Sequence, residues 1–240
     1  MRSDVIIGLD GKPRCAWVDS GDSALGRYHD DVWGTRTYDE SAMFEALTLG
    51  VFEVGLSWST VFGKRDAFRK AFRGFAPGQV AAMTTRDVER LLHDAAIIRN
   101  RAKIQATIDN ARAMLSTSPS LAALAKSYEI TRTRAPRSVA DLPKSTREAE
   151  AFAKRLKSQG YRFVGPTSVY AFMQNVGVVN DHVHGCFRAI DHPPGREAVE
   201  DRYARGGAGL TFPTLGQRVS EPRARCDAEL RKHARCGSTR

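Results

Sequence analysis

The chain has 240 residues, of which 42% are hydrophobic, so it can bury a core and form one or two globular domains. Its formal net charge is +10 at pH 7, and this excess of Lys and Arg favours a polyanionic partner, most simply nucleic acid. A basic surface that only aids solubility is the plain alternative. An anionic membrane is the third, but no long basic amphipathic helix supports it, and no apolar run approaches the ~20 residues that cross a bilayer.

The N-terminus favours a cytoplasmic location, and that location bears on the role of the cysteines. Residues 1–8 form a stretch too short and too interrupted for the apolar region of a signal peptide. The four cysteines are Cys15, Cys186, Cys226 and Cys236. In a cytosolic chain of this size, cysteines are more typical of metal ligands or free thiols than of disulfides.

The first third of the chain predicts helices separated by short breaks. Residues 1–13 are predicted to be an irregular lead-in, because Gly11 and Pro13 interrupt it. Residues 14–34 carry aromatic side chains without a helical or strand period. Asp39 is a typical N-cap for a helix that Gly55 ends. The predicted inward face of this helix consists of Phe44, Leu47, Val51 and Val54. Ser57 is expected to cap one further helix, whose predicted inward face consists of Trp58, Val61, Phe62, Phe68 and Phe72.

The remaining elements are also predicted to be helical, which makes the expected fold all-α. A short helix is expected to begin at Pro77, a second is expected to be capped by Thr84 or Thr85, and an Ala-rich helix is expected to end near Leu115. Three more are expected over about 120–128, from Ser145 to Gly160 and over 167–176. Ser145 and Glu148 have the spacing of a capping box for the helix that begins there. After about residue 190 the apolar pattern ends, so residues 190–240 are predicted to be a basic, largely disordered tail.

Four Cys and His residues have the composition of a metal site. His182 and Cys186 have i, i+4 spacing, which would place both on one helical face. Cys15 and His29 supply the same two ligand types near the N-terminus, and together the four would form a closed structural zinc site. The alternative is two buried cysteines and two ordinary histidines.

Two other combinations are weaker candidates for metal binding. His184 competes as a ligand, but at i+2 it would point away from His182 on a helix. Cys226, His233 and Cys236 could hold a second ion in the C-terminal tail.

A basic run precedes the Ala-rich helix. Arg99, Arg101 and Lys103 lie near the predicted helix N-terminus, where free N–H groups and the helix dipole already favour anions. This combination favours binding of backbone phosphates. The alternative is an ordinary basic helix face in contact with solvent.

Residues 50–58 place Glu53 in an apolar run five residues before Trp58. An apolar environment raises the pKa of a carboxyl group or requires a partner for it, so a pocket for a flat ligand is one interpretation. The other is a buried helix end with Glu53 at its solvent edge. The nucleophile-elbow, phosphate-loop and dinucleotide motifs are absent from the sequence, so no organic cofactor is expected.

Taken together, six blocks in order resemble the 3-methyladenine DNA glycosylase I family. They lie at residues 14–17, 28–30 with 33–34, 55–58, 97–101 with 103–104, 163–167, and 180–182 with 185–186. The resemblance implies an all-α helix-hairpin-helix glycosylase domain over residues 14–189, with a zinc site that joins the N-terminal loop to the C-terminal helix. It also implies excision of alkylated purines such as 3-methyladenine from double-stranded DNA, by a monomer without a membrane partner, in the bacterial cytosol or nucleoid.

The resemblance also implies roles for individual residues. The zinc ligands of the family fall on Cys15, His29, His182 and Cys186. The DNA-gripping hairpin falls on residues 94–103, with Ile98, Arg99, Arg101 and Lys103 as the expected DNA contacts. The base pocket falls on Tyr28, Trp33, Gly50, Phe52 and Trp58, with Glu53 as the expected catalytic residue.

Three positions depart from the family pattern. The family has a Glu five residues before the Gly-Leu-Ser-Trp block and a Gln two residues before it, where this chain has Gly50 and Glu53. Because that Glu hydrogen-bonds the excised adenine, we expect Glu53 to take part of its role and Gly50 to leave room for a bulkier purine. Ala96 replaces a common hairpin glycine, and Ala tolerates a positive φ poorly.

These departures leave three hypotheses for the function. The first is an active alkylpurine glycosylase with altered specificity or efficiency. The second is a catalytically weakened relative that binds damaged DNA without excising the base. The third is a basic, zinc-stabilised helical module that contacts protein or RNA.

Overall fold

The computed structural model describes residues 4–18 and 23–190, and within them the regular secondary structure is almost all helical, which confirms the all-α prediction. The α-helices are α1 (Ala24–Asp31), α2 (Glu40–Glu53), α3 (Trp58–Phe62), α4 (Arg65–Ala71), α5 (Pro77–Ala81), α6 (Thr85–Leu92), α7 (Arg101–Ser116), α8 (Leu121–Ser127), α9 (Arg147–Ser158) and α10 (Pro166–Asn175). Single turns of 3-10 helix lie at Arg73–Phe75 and Val139–Asp141. None of the described helices has the length and hydropathy needed to cross a membrane.

The N-terminal segment is a small β-hairpin, so the prediction of an irregular lead-in is wrong. Strand β1 (Val5–Ile7) pairs antiparallel with β2 (Pro13–Cys15). The residues taken as interruptions build the hairpin: Gly11 adopts φ +76° in the connecting turn, and Pro13 is the first residue of its strand, where proline is tolerated. Strands of three residues are too short to show alternation in sequence.

Helix α2 lies at the centre of the fold. The Asp39 side chain caps it by accepting from the backbone N–H of Ala42 at 2.7 Å, as predicted. The helix contacts α3, α5, α7, α8 and α10, and residues 43–45 and 47–52 are all buried. Val54 lies past the end of the helix and is 43% exposed, which corrects its predicted place in the core.

The region after Ser57 forms two helices, where one was predicted. Ser57 caps α3 by accepting from the N–H of Thr60. The chain then leaves helical geometry at Lys64 (φ −107°, ψ 9°), directly after Gly63, before α4 begins. Glycine is a poor helix former, so a break at this position is consistent with the sequence. Phe68 of α4 lies in the core, whereas Phe62 of α3 is only partly buried.

The C-terminal helices begin close to their predicted starts. Thr146, one residue after the predicted Ser145, caps α9 by accepting from the N–H of Ala149 at 3.2 Å. Helix α10 begins with Pro166 in its first turn and packs against α2 and α9. The predicted tail, with its candidate ligands Cys226, His233 and Cys236, lies outside the described residues.

Candidate active site and metal centre

Four buried side chains bring their ligand atoms together in one cluster. The ligand atoms of Cys15, His29, His182 and Cys186 all lie within 4.8 Å of one another. His182 Nδ1 is 3.2 Å from His29 Nε2 and 3.5 Å from Cys186 Sγ, and Cys15 Sγ is 3.7 Å from the same Nδ1. A tetrahedral ion with bonds of about 2.0–2.3 Å separates its ligand atoms by roughly 3.3–3.8 Å. The four predicted residues could therefore hold a metal ion with little rearrangement.

The outer nitrogen of each histidine ring has a hydrogen-bond acceptor. His29 Nδ1 lies 2.7 Å from Asp30 Oδ1, and His182 Nε2 lies 3.0 Å from the backbone oxygen of Trp33. Arg14 in turn donates to both carboxylate oxygens of Asp30. Each imidazole thus carries its proton on the outside and directs a lone pair into the cluster, which is the arrangement that metal-bound histidines require.

The protonation states of the cluster also suit a cation. The hydrogen bond from the Cys15 thiol holds the pKa of Cys186 far below its ordinary value. Burial lowers the pKa of His182, so its imidazole is neutral. The Cys186 thiolate and the neutral His182 imidazole are both unprotonated, which is the state in which these groups bind a metal.

The elements that carry the ligands differ from the prediction. Cys15 lies at the end of strand β2 and His29 lies in helix α1, while His182 and Cys186 lie on turns after α10. The expected helical face does not form, because α10 ends at Asn175 and none of the described residues after it is helical. A turn closed by the N–H of Cys186 on the carbonyl of Val183 brings the two ligands together instead.

A cavity of about 430 Å³ lies beside the cluster and has aromatic walls. Its lining includes Trp17, Tyr28, Trp33, Trp58 and Phe62, together with the polar side chains of Gln174 and Asn175. Tyr28 is nearly buried, and its hydroxyl donates to Asn175 Oδ1 at 2.6 Å. The volume lies within the usual range for small-molecule pockets, so the predicted residues Tyr28, Trp33 and Trp58 line one concave site.

Glu53 is the charged residue among those that line the cavity. It is the last residue of α2, and its carboxylate has no hydrogen bond or ion pair to any residue that the structure describes. Burial raises the pKa of Glu53, because no nearby positive charge compensates for the lost hydration. An unpaired, half-buried carboxylate in an aromatic cavity is ready to meet a cationic ligand.

Gly50 and Phe52 were also predicted to line the pocket, but neither lines the aromatic cavity. Gly50 lines an adjoining cavity of about 290 Å³, which shares Glu53 and Ala171 with the first. Phe52 lines neither cavity: it is fully buried, and its ring packs against Phe68 at a centroid distance of 4.4 Å. The prediction of Phe52 as a pocket residue is corrected, because successive residues of a helix face directions about 100° apart.

The predicted hairpin is an exposed turn between α6 and α7. Asn100 caps α7 by accepting from the N–H of Lys103 at 3.1 Å, and Ile97 is buried and anchors the turn. The described non-glycine residues with positive φ are Arg73, Phe75 and Phe163. The backbone at Ala96 is therefore not strained, which removes the concern about its replacement of glycine.

The predicted cations of the hairpin have three different environments. Arg99 is exposed, whereas Arg101 is exposed but forms a two-pronged ion pair with Glu89. Lys103 is only 6% exposed, and its Nζ donates to the backbone oxygens of Phe52 and Val54. Lys103 thus caps the C-terminal end of α2, and its prediction as a phosphate contact is corrected.

Comparison with known proteins places the chain in a family. The family model described as methyladenine glycosylase matches residues 17–189. The chain belongs to the methyladenine glycosylase family. It is 44% identical over 179 residues to DNA-3-methyladenine glycosylase 1 of Escherichia coli (strain K12), an alignment that covers 72% of this chain and 95% of the relative.

Solved structures of this family share the fold. A crystal structure of 3-methyladenine DNA glycosylase I superposes with a TM-score of 0.68 at 43% identity, covering 75% of this chain and all of that one. A variant of 3-methyladenine DNA glycosylase I in complex with 3-methyladenine superposes with a TM-score of 0.66 at 30% identity, covering 72% of this chain and 95% of that chain. The family match includes the whole cavity lining and begins two residues after Cys15.

Several cavity residues were not predicted from the sequence. Trp17 packs edge-on against both His29 and Trp33, so it joins the metal cluster to the cavity wall. Phe62 was assigned to the core face of a single long helix, but it is the last residue of the short helix α3 and lines the cavity. Gln174 and Asn175 are consecutive polar residues in an apolar helix, and that pattern was the available signal.

Proposed function

We propose that the chain is a monofunctional DNA glycosylase that hydrolyses the N-glycosidic bond of alkylated purines such as 3-methyladenine in double-stranded DNA. The observation that carries this proposal is the aromatic cavity with Glu53 as its unpaired carboxylate. Membership of the methyladenine glycosylase family supports the same reaction. The formal net charge of +10 supports a polyanionic substrate.

The cavity suits an extrahelical, positively charged purine. A base inside a duplex is out of reach, so the nucleotide must be flipped into the cavity. Stacking on Trp58 and its neighbours contributes ~1–3 kcal/mol per base, and aromatic faces favour a cationic ring over a neutral one. Alkylation at N3 places a positive charge on adenine, which distinguishes the damaged base and also makes it a good leaving group.

Glu53 is the proposed catalytic residue. As the glycosidic bond breaks, positive charge moves from the departing base to the sugar, and a fixed carboxylate stabilises that charge in a site with little water. The same carboxylate can position the water that attacks the sugar. Because the alkylated base leaves readily, little acid catalysis is required, and the role of Glu53 is mainly electrostatic.

The space beside Gly50 supports a broader substrate range. A Cβ built on Gly50 would meet only the backbone oxygen of Ser168, at 3.7 Å, so the side chain absent here leaves open volume next to Glu53. Thr167 and Ser168 line that volume. We propose that it accepts alkyl groups larger than methyl.

We propose that the ion of the Cys/His cluster is Zn²⁺ in a structural role. Two sulfur and two imidazole ligands are a composition typical of closed zinc sites, which keep no open coordination position for substrate. When bound, the ion supplies folding energy. The cluster supports the cavity directly, because the Nε2–H of His182 donates to the carbonyl oxygen of Trp33, and Trp33 lines the cavity.

A base-release assay tests the proposed reaction. We expect the purified chain to release 3-methyladenine from methylated duplex DNA, and the corresponding ethylated base from ethylated DNA, with the free bases identified by mass. Undamaged duplex is the control and should release nothing. Tight binding of abasic-site duplex without release of any base would instead favour a protein that binds damaged DNA and does not excise the base.

The exposed Arg99 and the buried Lys103 should respond differently to substitution. Arg99→Ala should weaken duplex binding and reduce the slope of log K against log salt by about 0.9, since one phosphate contact is lost. Lys103→Met should leave that slope unchanged but cost about 2 kcal/mol of stability, because it leaves carbonyls at the end of α2 unsatisfied. Binding isotherms at several salt concentrations and thermal melts measure the two effects.

The exposed Arg155 of α9 provides the matched control for Arg99. Arg155→Ala should change neither the affinity nor the salt slope. Equal losses in the Arg99 and Arg155 variants would contradict a specific role of the hairpin in binding DNA.

A further inference from the structure

Gln174 lines the cavity and has one end of its amide fixed by a buried carboxylate. Its Nε2 donates to Oδ2 of Asp181 at 2.7 Å. Asp181 is 1% exposed and lies on the segment after α10, next to the predicted metal ligand His182. The sequence analysis assigned neither Gln174 nor Asp181 a role in the choice of base.

The carboxylate of Asp181 is surrounded by donors. Arg132, which is partly exposed, forms an ion pair in which its Nε donates to Oδ1 of Asp181 at 2.5 Å, and the Tyr170 hydroxyl donates to Oδ2. Arg132 also donates to the Tyr170 hydroxyl oxygen at 3.1 Å. An ionised carboxylate accepts hydrogen bonds and cannot donate them, so every neighbour must present a proton to it.

This network determines which way round the Gln174 amide lies. The NH₂ group must face Asp181, because turning the amide would place two oxygens against each other. The Gln174 Oε1 has no hydrogen-bond partner among the residues that the structure describes. The polar atom that Gln174 can offer to a base in the cavity is therefore an acceptor.

A discriminating acceptor is needed because charge alone does not separate the alkylated purines. N3-alkylated adenine and N7-alkylated guanine are both cationic, so the aromatic walls and Glu53 attract both. The two bases differ at the exocyclic position on C6, which is an amino donor in adenine and a carbonyl acceptor in guanine. An acceptor on the cavity wall favours the first and repels the second.

We propose that Gln174, held by Asp181, is a specificity-determining residue that accepts a hydrogen bond from the 6-amino group of an alkylated adenine and disfavours alkylated guanine. This inference rests on the proposed glycosylase function. Asp181 is a positioning residue in it, because it acts through the amide of Gln174 and does not touch the base.

The test compares two bases released from one substrate. Duplex DNA carrying both N3-methyladenine and N7-methylguanine is treated with each variant, and kcat/KM is measured for the release of each base. Gln174→Met keeps the side-chain length and removes the acceptor. We expect it to lower the adenine-to-guanine ratio of kcat/KM roughly tenfold or more, since a polar site loses its discrimination when its partner group is absent.

Gln105 offers a matched control within the same chain. Its amide also donates to an aspartate, Asp109, at 3.0 Å, but Gln105 does not line the cavity. Gln105→Met should leave the ratio unchanged. Asp181→Asn should lower it as Gln174→Met does, because an amide partner allows both orientations of Gln174.

The outcomes separate this inference from the proposed function. Release of N3-methyladenine by the wild type, with the same ratio in Gln174→Met, would overturn the role of Gln174 and leave the glycosylase function intact. Failure of the wild type to release either base would overturn both. Thermal melts of Gln174→Met identify any loss of folding, which would lower both rates and not their ratio.

Discussion

Replacement of Glu53 with Gln should lower kcat/KM for release of 3-methyladenine by about 10²-fold, the usual effect of removing one charged group aimed at a developing charge. The variant keeps the size and shape of the side chain, so the cavity is unchanged and only the charge is lost. Single-turnover rates on methylated duplex measure the chemical step apart from product release. Equal rates in wild type and Glu53→Gln would remove the carboxylate from the mechanism.

The stability of the same variant should change in the opposite direction. Because burial raises the pKa of Glu53, the folded protein binds this proton more tightly than the unfolded chain does. Ionisation of Glu53 therefore costs stability as the pH rises through the raised pKa. At neutral pH, Glu53→Gln should melt at the same temperature as the wild type or at a higher one, and below the ordinary glutamate pKa the difference should vanish.

The pH dependence of kcat/KM should also reflect the raised pKa of Glu53. The carboxylate must be ionised to stabilise a cationic sugar, so kcat/KM should fall as the pH drops through the raised pKa of Glu53. Glu53→Gln should lack this acid limb. Glu40→Gln, an exposed change at the other end of the same helix, is the control and should keep both the rate and the limb.

The sequence was sufficient for the metal cluster because ligand chemistry is a property of residue type. Four Cys and His residues predicted one site, and the structure brings their ligand atoms within 4.8 Å. The backbone that carries them was not predictable in the same way. An i, i+4 spacing fits a helix and equally fits a tight turn, and the turn from Val183 to Cys186 depends on packing that the local sequence does not contain.

Lys103 and Phe52 show a second limit, which is contact over long sequence distance. A cation near a helix N-terminus predicts phosphate binding, and nothing local reveals that the end of α2 lies beside it. Lys103 contacts the carbonyl of Phe52, 51 residues earlier in the chain. Phe52 and Glu53 are neighbours with the same sequence environment, yet the helix places one in the core and the other in the cavity.

Disruption of the Cys/His cluster should have the largest effect on stability. Cys186→Ser leaves three ligands and a weaker oxygen donor, so we expect the metal content to fall from one ion per chain to a small fraction of that. The expected cost is about 4 kcal/mol of folding free energy, because metal binding energy is folding energy. For a domain of this size it corresponds to a fall of roughly 8–16 °C in Tm.

The cost is expected to be this large because the cluster replaces a hydrophobic core at its end of the molecule. The buried group there contains Cys15, Ala135, Val183, Cys186 and Ala189, which offer little apolar surface of their own. Trp17 and Trp33 pack against that group and line the cavity. Loss of the ion should therefore also reduce base release, and chelation of the wild-type protein should reproduce both effects.

Cys226→Ser is the control that separates this cluster from the other candidate ligands. It should leave the metal content, measured by elemental analysis, and the Tm unchanged. If Cys226→Ser lowered the metal content while Cys186→Ser did not, the ion would belong to the C-terminal tail. An unaltered Tm in metal-free wild type would mean that the four buried side chains stabilise the fold by packing and not by coordination.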